Sequence, residues 1–270
     1  CVLETEMIVC LSALEAVVAH QETKVKCSGM IEFGDSRFHC WKKDGHGWLN
    51  MIDAIEQSCD VYLYELAKRV GIKRIGEMAA RFGFGEAFNF GLPGENRGLI
   101  PTPAWKRKTF GQAWHAGETL ITSIGQGFIL CTPLQLAVMT SRLVNGGRPV
   151  LPRLVKNERA EIQKRKSLQL SPQHLHTVLK GMDKVVNGSQ GTARKVVDQS
   201  MKFQFGGKSG SVQVKRISLD ERESGKLKNK DRPWRERDHA MFVAFAPLKS
   251  PRYVVSVSYT HLRAHETIRH

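Results

Sequence analysis

The sequence predicts an α+β fold, in which a helical subdomain lies beside an antiparallel sheet. Helical hydrophobic periodicity dominates residues 7–187, and strand-like segments follow it. Strand and helix patterns do not alternate along the chain, as they would if it built a parallel sheet. The chain has 270 residues, of which 41% are hydrophobic, and this is enough for the core of one large domain.

The helices are predicted from apolar spacing together with start and stop signals. Residues 7–19 form an almost continuous apolar run that is typical of a buried helix. Asn50 predicts a cap for residues 51–57, and glycines end the patterns over 61–70 and 72–82. Two dipeptides with proline in second place, Thr132-Pro133 and Ser171-Pro172, predict helices that run to residues 144 and 187.

Three strands are predicted near the end of the chain, and they form an antiparallel meander. They are the segment around Lys208 and the apolar segments 240–246 and 253–257. Residues 148–155 are a further strand candidate. The Gly- and Pro-rich residues 84–110 are expected to form a loop.

The strand around Lys208 is the stretch that points most directly to a function. It reads Gly206-Gly207-Lys208-Ser209-Gly210-Ser211, so a cation and two hydroxyls stand beside positions without side chains. Glycine inside a strand often marks a close approach of another backbone or a ligand. We therefore expect this strand to pair with an extended peptide whose terminal carboxylate binds the cation and hydroxyls.

The charge balance of the chain is strongly basic. The formal net charge is +15, and much of the excess falls in predicted loops. Nucleic-acid binding is one explanation, but no recognisable nucleic-acid-binding motif accompanies the charge. A basic surface near an anionic membrane or polymer explains it equally well.

Several blocks, taken in order, resemble one known family. They are Ser58-Cys59-Asp60, Gly125-Gln126-Gly127, Gly207-Lys208-Ser209-Gly210-Ser211 and Arg237-Asp238-His239. Their order and spacing over residues 7–257 are similar to those of the transpeptidase domain of the penicillin-binding protein 2 family, the class B enzymes of cell elongation. The resemblance implies the penicillin-binding-protein and serine β-lactamase-like fold.

The resemblance also implies an activity: a peptidoglycan D,D-transpeptidase that cross-links D-Ala-D-Ala stem peptides through a serine acyl-enzyme. In it, Ser58 and Lys208 are catalytic, and Asp60, Ser209, Gly210 and Ser211 bind substrate. The backbone N–H of Ser211 would form half of the oxyanion hole. Expected partners are stem peptides, β-lactams and membrane proteins of the elongation machinery, at the periplasmic face of the inner membrane. No organic cofactor and no nucleic acid are expected.

The sequence departs from the family at the nucleophile. The Ser-x-x-Lys motif should place serine at Leu3 and lysine at Glu6, and no Ser-x-x-Lys occurs anywhere in the chain. We therefore predict that the chain forms no acyl-enzyme as written. Two alternatives stay open: a serine β-lactamase-like hydrolase, and a non-catalytic peptidoglycan-binding or sensor domain.

Both ends of the chain differ from the rest. The start lacks an initiator methionine and a signal-peptide pattern, so we expect a fragment that has lost an upstream anchor. Residues 1–6 are predicted to be non-native, and residues 258–270 to be an adapter-derived tail. The transpeptidase domain is thus assigned to residues 1–257, with a small Cys/His subdomain at 27–48.

Four residues in and just after this subdomain suggest a metal site. Cys27, Cys40, His46 and Cys59 offer three thiolates and an imidazole, the ligand set of a closed tetrahedral zinc site. Because the segment has few apolar residues in periodic order, it needs a stabilising cross-link such as a bound metal ion. The alternative is a Cys27–Cys40 disulfide, which an oxidising compartment would permit.

Overall fold

The structure is a computed structural model that describes residues 2–155, 167–197, 200–214 and 232–260. Its helices are α1 (Val2–Glu15), α2 (Met51–Gln57), α3 (Asp60–Val70), α4 (Ile72–Phe82), α5 (Pro103–Phe110), α6 (Ala116–Ser123), α7 (Pro133–Val144) and α8 (Pro172–Asn187). Its strands are β1 (Val25–Cys27), β2 (Met30–Phe33), β3 (Ser36–His39), β4 (Gly47–Leu49), β5 (Gly206–Val212), β6 (His239–Ala246) and β7 (Tyr253–Tyr259). The predicted α+β class is confirmed.

Helix α1 lies at the centre of the core. Its residues from Met7 to Leu11 are at most 1% exposed, because neighbouring elements surround the helix on every side. It starts earlier and ends earlier than the predicted residues 7–19. The helix stops at Glu15 because Val17 takes a left-handed conformation with φ +54°, which turns the chain out of the helix.

Helix α8 joins the helical layer to the sheet. It packs against α2 on one side and β5 on the other, while α1 also contacts β5. The contact with α2 needs a glycine, since a Cβ at Gly181 would meet Ile55 at 2.7 Å. Lys184 of α8 also donates to Asp53 of α2 at 2.9 Å. Residues on α1, α2 and β5 are therefore brought together although they lie far apart in sequence.

The sheet is the predicted antiparallel meander, in the order β5-β6-β7. In its register Lys208 lies opposite Val243. Among the described residues β5 pairs only with β6, so its other edge is open to an added strand. A Cβ on Gly207 would meet the Val243 carbonyl oxygen at 2.6 Å, so this glycine admits the neighbouring strand rather than a ligand.

Two sequence predictions about irregular regions are wrong. Residues 148–155 form no strand, because Pro149 and Pro152 each remove a backbone donor. The expected loop over 84–110 ends in helix α5. Thr102 caps that helix by accepting from the Trp105 N–H, with Pro103 at its first position, which is the same signal that correctly predicts α7.

The region between α1 and α2 consists of short strands. Strand β1 pairs with β4, and β2 pairs with β3 as a hairpin. Gly45 has φ +76°, and a Cβ there would meet the backbone of Ser28 at 2.8 Å, so the two arms of this region lie close together. Within the described ranges, no helix is both long enough and apolar enough to cross a membrane.

Candidate active site and metal centre

Three residues from three elements form one buried polar cluster. Lys208 of β5 donates to the Ser58 hydroxyl, and its Nζ lies 3.0 Å from Oε1 of Glu6 on α1. Ser58 in turn donates to the same Glu6 oxygen at 3.2 Å. The prediction that Ser58 and Lys208 share one site is confirmed, and Glu6 occupies the third corner. The catalytic roles of Ser58 and Lys208 stay predictions.

Backbone geometry sets the position of Ser58. It ends α2 in the left-handed region with φ +49° and ψ +56°, and its N–H bonds back to Ala54 and Ile55. This conformation costs a non-glycine residue about 1–2 kcal/mol, so it persists only where surrounding contacts hold it. The sharp turn between α2 and α3 directs the hydroxyl of Ser58 towards Lys208.

Charges within the cluster balance each other. Lys208 is fully buried and Glu6 is 5% exposed, so each charge has lost its water. Burial raises the pKa of the Glu6 carboxyl above its ordinary value, and the nearby Lys208 ammonium opposes that rise. The second carboxylate oxygen of Glu6 is buried with no hydrogen-bond partner in the described structure. The ion pair is therefore the main support of the Glu6 charge.

The predicted substrate-binding residues of β5 continue along the strand from Lys208. Ser209, Gly210 and Ser211 are half-buried, so each keeps part of its surface exposed. The hydroxyl of Ser209 shares a hydrogen bond of 2.9 Å with Thr192, in the segment after α8. Thr192 is a site residue that the sequence did not indicate, because no motif contains it.

Asp60 faces the short-strand region. Its Oδ2 accepts the backbone N–H of Trp41 at 2.8 Å. Burial raises the pKa of Asp60 well above its ordinary value, and the Cys40 sulfur adds to the rise. The contact with Trp41 was not predicted, and the substrate-binding role of Asp60 stays a prediction.

The four residues of the predicted metal site converge. Ligand atoms of Cys27, Cys40, His46 and Cys59 all lie within 4.8 Å of one another, and the sulfur of Cys40 is 3.6 Å from Nδ1 of His46. Metal–sulfur bonds of about 2.3 Å in a tetrahedron place neighbouring sulfurs about 3.8 Å apart, which is compatible with this spacing. These three cysteines and Cys10 are buried free thiols. The predicted convergence is confirmed, and the cluster contains no Cys27–Cys40 disulfide.

Electrostatics in this cluster favour an added cation. A hydrogen bond from the Cys59 thiol lowers the pKa of Cys40, while the same bond raises the pKa of Cys59. One thiolate thus makes the loss of a second proton harder. A divalent ion reverses this effect because it binds thiolates. His46 Nε2 is buried with no hydrogen-bond partner among the described residues, so no described carbonyl or carboxylate accepts from the second ring nitrogen.

The fold and the site together define a class of protein. The family described as the penicillin binding protein transpeptidase domain matches residues 7–266. The chain therefore belongs to this family, and the match extends past residue 257, where the sequence predicted the domain to end. The assignment of residues 258–270 as a foreign tail stays untested, although β7 continues to Tyr259.

Particular relatives are peptidoglycan D,D-transpeptidases named MrdA. That of Acinetobacter baumannii is 35% identical over 233 residues, covering 83% of this chain and 34% of the relative. That of Haemophilus influenzae is 37% identical over 229 residues, covering 82% and 34%. The chain thus spans about a third of the length of these curated relatives.

Solved structures agree with this assignment. Penicillin-binding protein 2 (PBP2) of Pseudomonas aeruginosa, in complex with WCK 5153, has a TM-score of 0.84 and 34% identity, covering 97% of this chain and 56% of that one. PBP2 of Helicobacter pylori in complex with MreC has a TM-score of 0.83 and 34% identity, covering 95% and 44%. The expected transpeptidase fold is confirmed.

Proposed function

We propose that this chain is the peptide-binding region of a peptidoglycan D,D-transpeptidase whose substrate is a stem peptide ending in D-Ala-D-Ala. The observation that carries the proposal is the buried contact of Lys208 with Ser58, made between β5 and the end of α2. Two motifs that are 150 residues apart meet at one point with a hydroxyl and a cation. Relatives named as transpeptidases favour this activity over a β-lactamase-like hydrolase.

The geometry suggests how a peptide would bind. An extended peptide would pair with the open edge of β5, and its terminal carboxylate would meet the Ser209 and Ser211 hydroxyls. Lys208 supplies the positive charge beside that position. Ser58, which hydrogen-bonds to Lys208, would relay a proton between nucleophile and leaving group. The Ser211 N–H would stabilise the developing oxyanion.

A second candidate function is peptide binding without cleavage, and Glu6 favours it. Its carboxylate lies at the position where the family has a lysine, and it pairs with Lys208. A carboxylate there cannot act as the amine base that activates a serine hydroxyl at neutral pH while it is held in an ion pair. The chain as written would then hold a stem peptide without acylation.

The relatives support a proposal about the location and partners of the whole protein. We propose that it works at the periplasmic face of the bacterial inner membrane and takes part in cell-shape maintenance. The Helicobacter pylori PBP2 forms a complex with MreC, and a further similar structure is a peptidoglycan synthase complex. Partners from the elongation machinery are therefore proposed for this protein too. β-Lactams are proposed as ligands of the same cleft.

We also propose that Cys27, Cys40, His46 and Cys59 hold a structural zinc ion. Support comes from the donor set, the spacing of its atoms and their burial. Zinc would tie together β1, the segment after β3, and the junction between α2 and α3. Because Cys59 follows Ser58 directly, the same ion would restrain the backbone of the proposed active site.

Calorimetric titration of the chain with an acylated D-Ala-D-Ala peptide tests the proposed function. We expect saturable binding that is weakened at least tenfold when the peptide carries a terminal amide, because the carboxylate is then lost. The variant carrying Lys208→Met and Glu6→Gln together should weaken binding of the acid more than binding of the amide, because it removes the cation without leaving the Glu6 charge buried and alone. Equal binding of acid and amide forms would contradict the proposal.

A further inference from the structure

Trp41 links the Cys/His cluster, formed by Cys27, Cys40, His46 and Cys59, to the junction that carries Ser58. Its indole N–H is shared between the carbonyl oxygens of Ser58 at 2.9 Å and Gln57 at 3.1 Å. Its backbone N–H donates to Asp60 at 2.8 Å. One residue thus holds three parts of the turn between α2 and α3: the last helical residue, the left-handed serine and the first residue of α3.

These contacts fall where the backbone needs support. The final carbonyls of a helix have no partner within it, and those of Gln57 and Ser58 are such groups. The left-handed conformation of Ser58 persists only if its surroundings hold it. The indole N–H of Trp41 supplies a hydrogen bond to this residue itself, so it restrains the direction in which the Ser58 hydroxyl points.

Trp41 is also tied to the proposed metal ligands. It follows Cys40 directly, and its ring meets the His46 ring edge-on, with centroids 5.3 Å apart and planes at 67°. The residue is 51% exposed, so apolar burial alone does not explain its position. The hydrogen bonds of the indole are the specific feature of this position.

We propose that Trp41 is a positioning residue that couples order in the Cys/His cluster to the backbone of Ser58. Cys59 already connects the cluster to Ser58 through the peptide bond between them, and the hydrogen bonds of Trp41 provide a second connection. The effect on ligand binding rests on the proposed function of Ser58, whereas the effect on the junction itself does not. Any ion or oxidation state that orders the cluster would thereby order the proposed active site.

Hydrogen exchange of the ligand-free chain tests the coupling, with Trp41→Phe as the variant. Phenylalanine keeps an aromatic ring at this position and removes the indole donor. We expect the amides of Ser58 and Cys59 to exchange about two- to tenfold faster, the range that one hydrogen bond carries. Trp48→Phe is the matched control, because Trp48 lies in the same region, is 66% exposed and should leave these rates unchanged.

A second readout needs no variant. The indole N–H resonance of Trp41 should be protected from exchange relative to that of Trp48, and added zinc should increase this protection while a chelator reduces it. This arm keeps the inference testable even if Trp41→Phe folds poorly. Equal protection of the two indoles, or unchanged amide exchange at Ser58 and Cys59 in folded Trp41→Phe, would overturn the inference.

Peptide binding separates this inference from the proposed function. If Trp41→Phe speeds exchange at the junction and also weakens binding of the D-Ala-D-Ala peptide about two- to tenfold, both stand. If exchange changes but the unmodified chain binds no peptide, the coupling stands and the proposed function fails. If the unmodified chain binds peptide but exchange at the junction does not respond to Trp41→Phe, the coupling fails alone.

Discussion

Two polar clusters lie on either side of the junction between α2 and α3, and they are stabilised in opposite ways. In the active-site cluster, Lys208 and Glu6 neutralise each other inside the core. In the Cys/His cluster, a single thiolate is favoured and the next proton is held more tightly. In the first cluster the chain itself supplies both the cation and the anion, whereas the thiols of the second cluster gain most from an added cation. Ser58 belongs to the active-site cluster, and Cys59, the next residue, belongs to the Cys/His cluster.

The largest expected effect comes from breaking the first cluster. Lys208→Met should lower the free energy of unfolding by about 3–5 kcal/mol at neutral pH, because it leaves the Glu6 charge buried and alone. Urea unfolding measures this. The loss should shrink at acid pH, where Glu6 takes up a proton. The control variant carries Lys208→Met and Glu6→Gln together and should recover most of the lost stability. An equal loss in both variants would show that the ion pair between Lys208 and Glu6 does not cause it.

Zinc content tests the proposed metal site of the second cluster. Protein purified without chelator should contain about one equivalent of zinc, and Cys40→Ser should lower this below about a tenth. A zinc excess of a thousandfold over its dissociation constant should stabilise the unmodified chain by about 4 kcal/mol, and a chelator should remove that gain. Cys10→Ser is the matched control, since Cys10 is a buried cysteine outside the cluster. Absence of zinc together with a Cys27–Cys40 disulfide by mass spectrometry would refute the site.

The pH dependence of stability tests the role of Glu6 in the active-site cluster. The folded-state pKa of Glu6 is raised above its ordinary value of 4.5, so its contribution is full below about pH 4.5 and is lost as pH rises through the folded-state pKa. Relative to Glu6→Gln, the unmodified chain should lose stability over this window, by at most about 1.4 kcal/mol per pH unit. Parallel stability curves for the two proteins would contradict the assignment.

A smaller effect should follow at Ser209, the residue after Lys208 on β5. Thr192→Val removes the hydrogen bond to Ser209 and should cost about 0.5–1.5 kcal/mol in thermal or chemical unfolding. It should also weaken peptide binding if Ser209 is held for the carboxylate. Thr109→Val, at an exposed position on α5, is the control and should change stability by less than about 0.5 kcal/mol. Equal effects at the two threonines would remove Thr192 from the site.

The sequence predicted most of what depends on local signals. Capping residues located α2 and α7, and the stretch around Lys208 together with two apolar segments located the three strands of the meander. Helix α5 was missed although Thr102-Pro103 repeats the signal of α7, because the surrounding glycines and prolines favoured a loop. Val17, left-handed at φ +54°, ends α1 early, and such a conformation is set by tertiary packing.

The site was predictable as far as motifs extend. Ser58, Lys208 and the four Cys/His residues were found from residue type and order, and the structure brings each set together. Thr192 and Trp41 were not found, because each acts through a hydrogen bond to a residue far away in sequence, and such a pair leaves no periodic signal. Glu6 was noticed only as a mismatch, and its ion pair with Lys208 became visible only in the fold.

The central claim is that Glu6 completes a buried cluster at the place of the acylating machinery, so that this chain can hold a substrate-like peptide but cannot be acylated. Intact-protein mass spectrometry after incubation with a penicillin tests it most directly. We expect no adduct on the unmodified chain and an adduct of one penicillin on the variant carrying Leu3→Ser and Glu6→Lys. A stoichiometric adduct on the unmodified chain would contradict the account, because the nucleophile would then lie elsewhere.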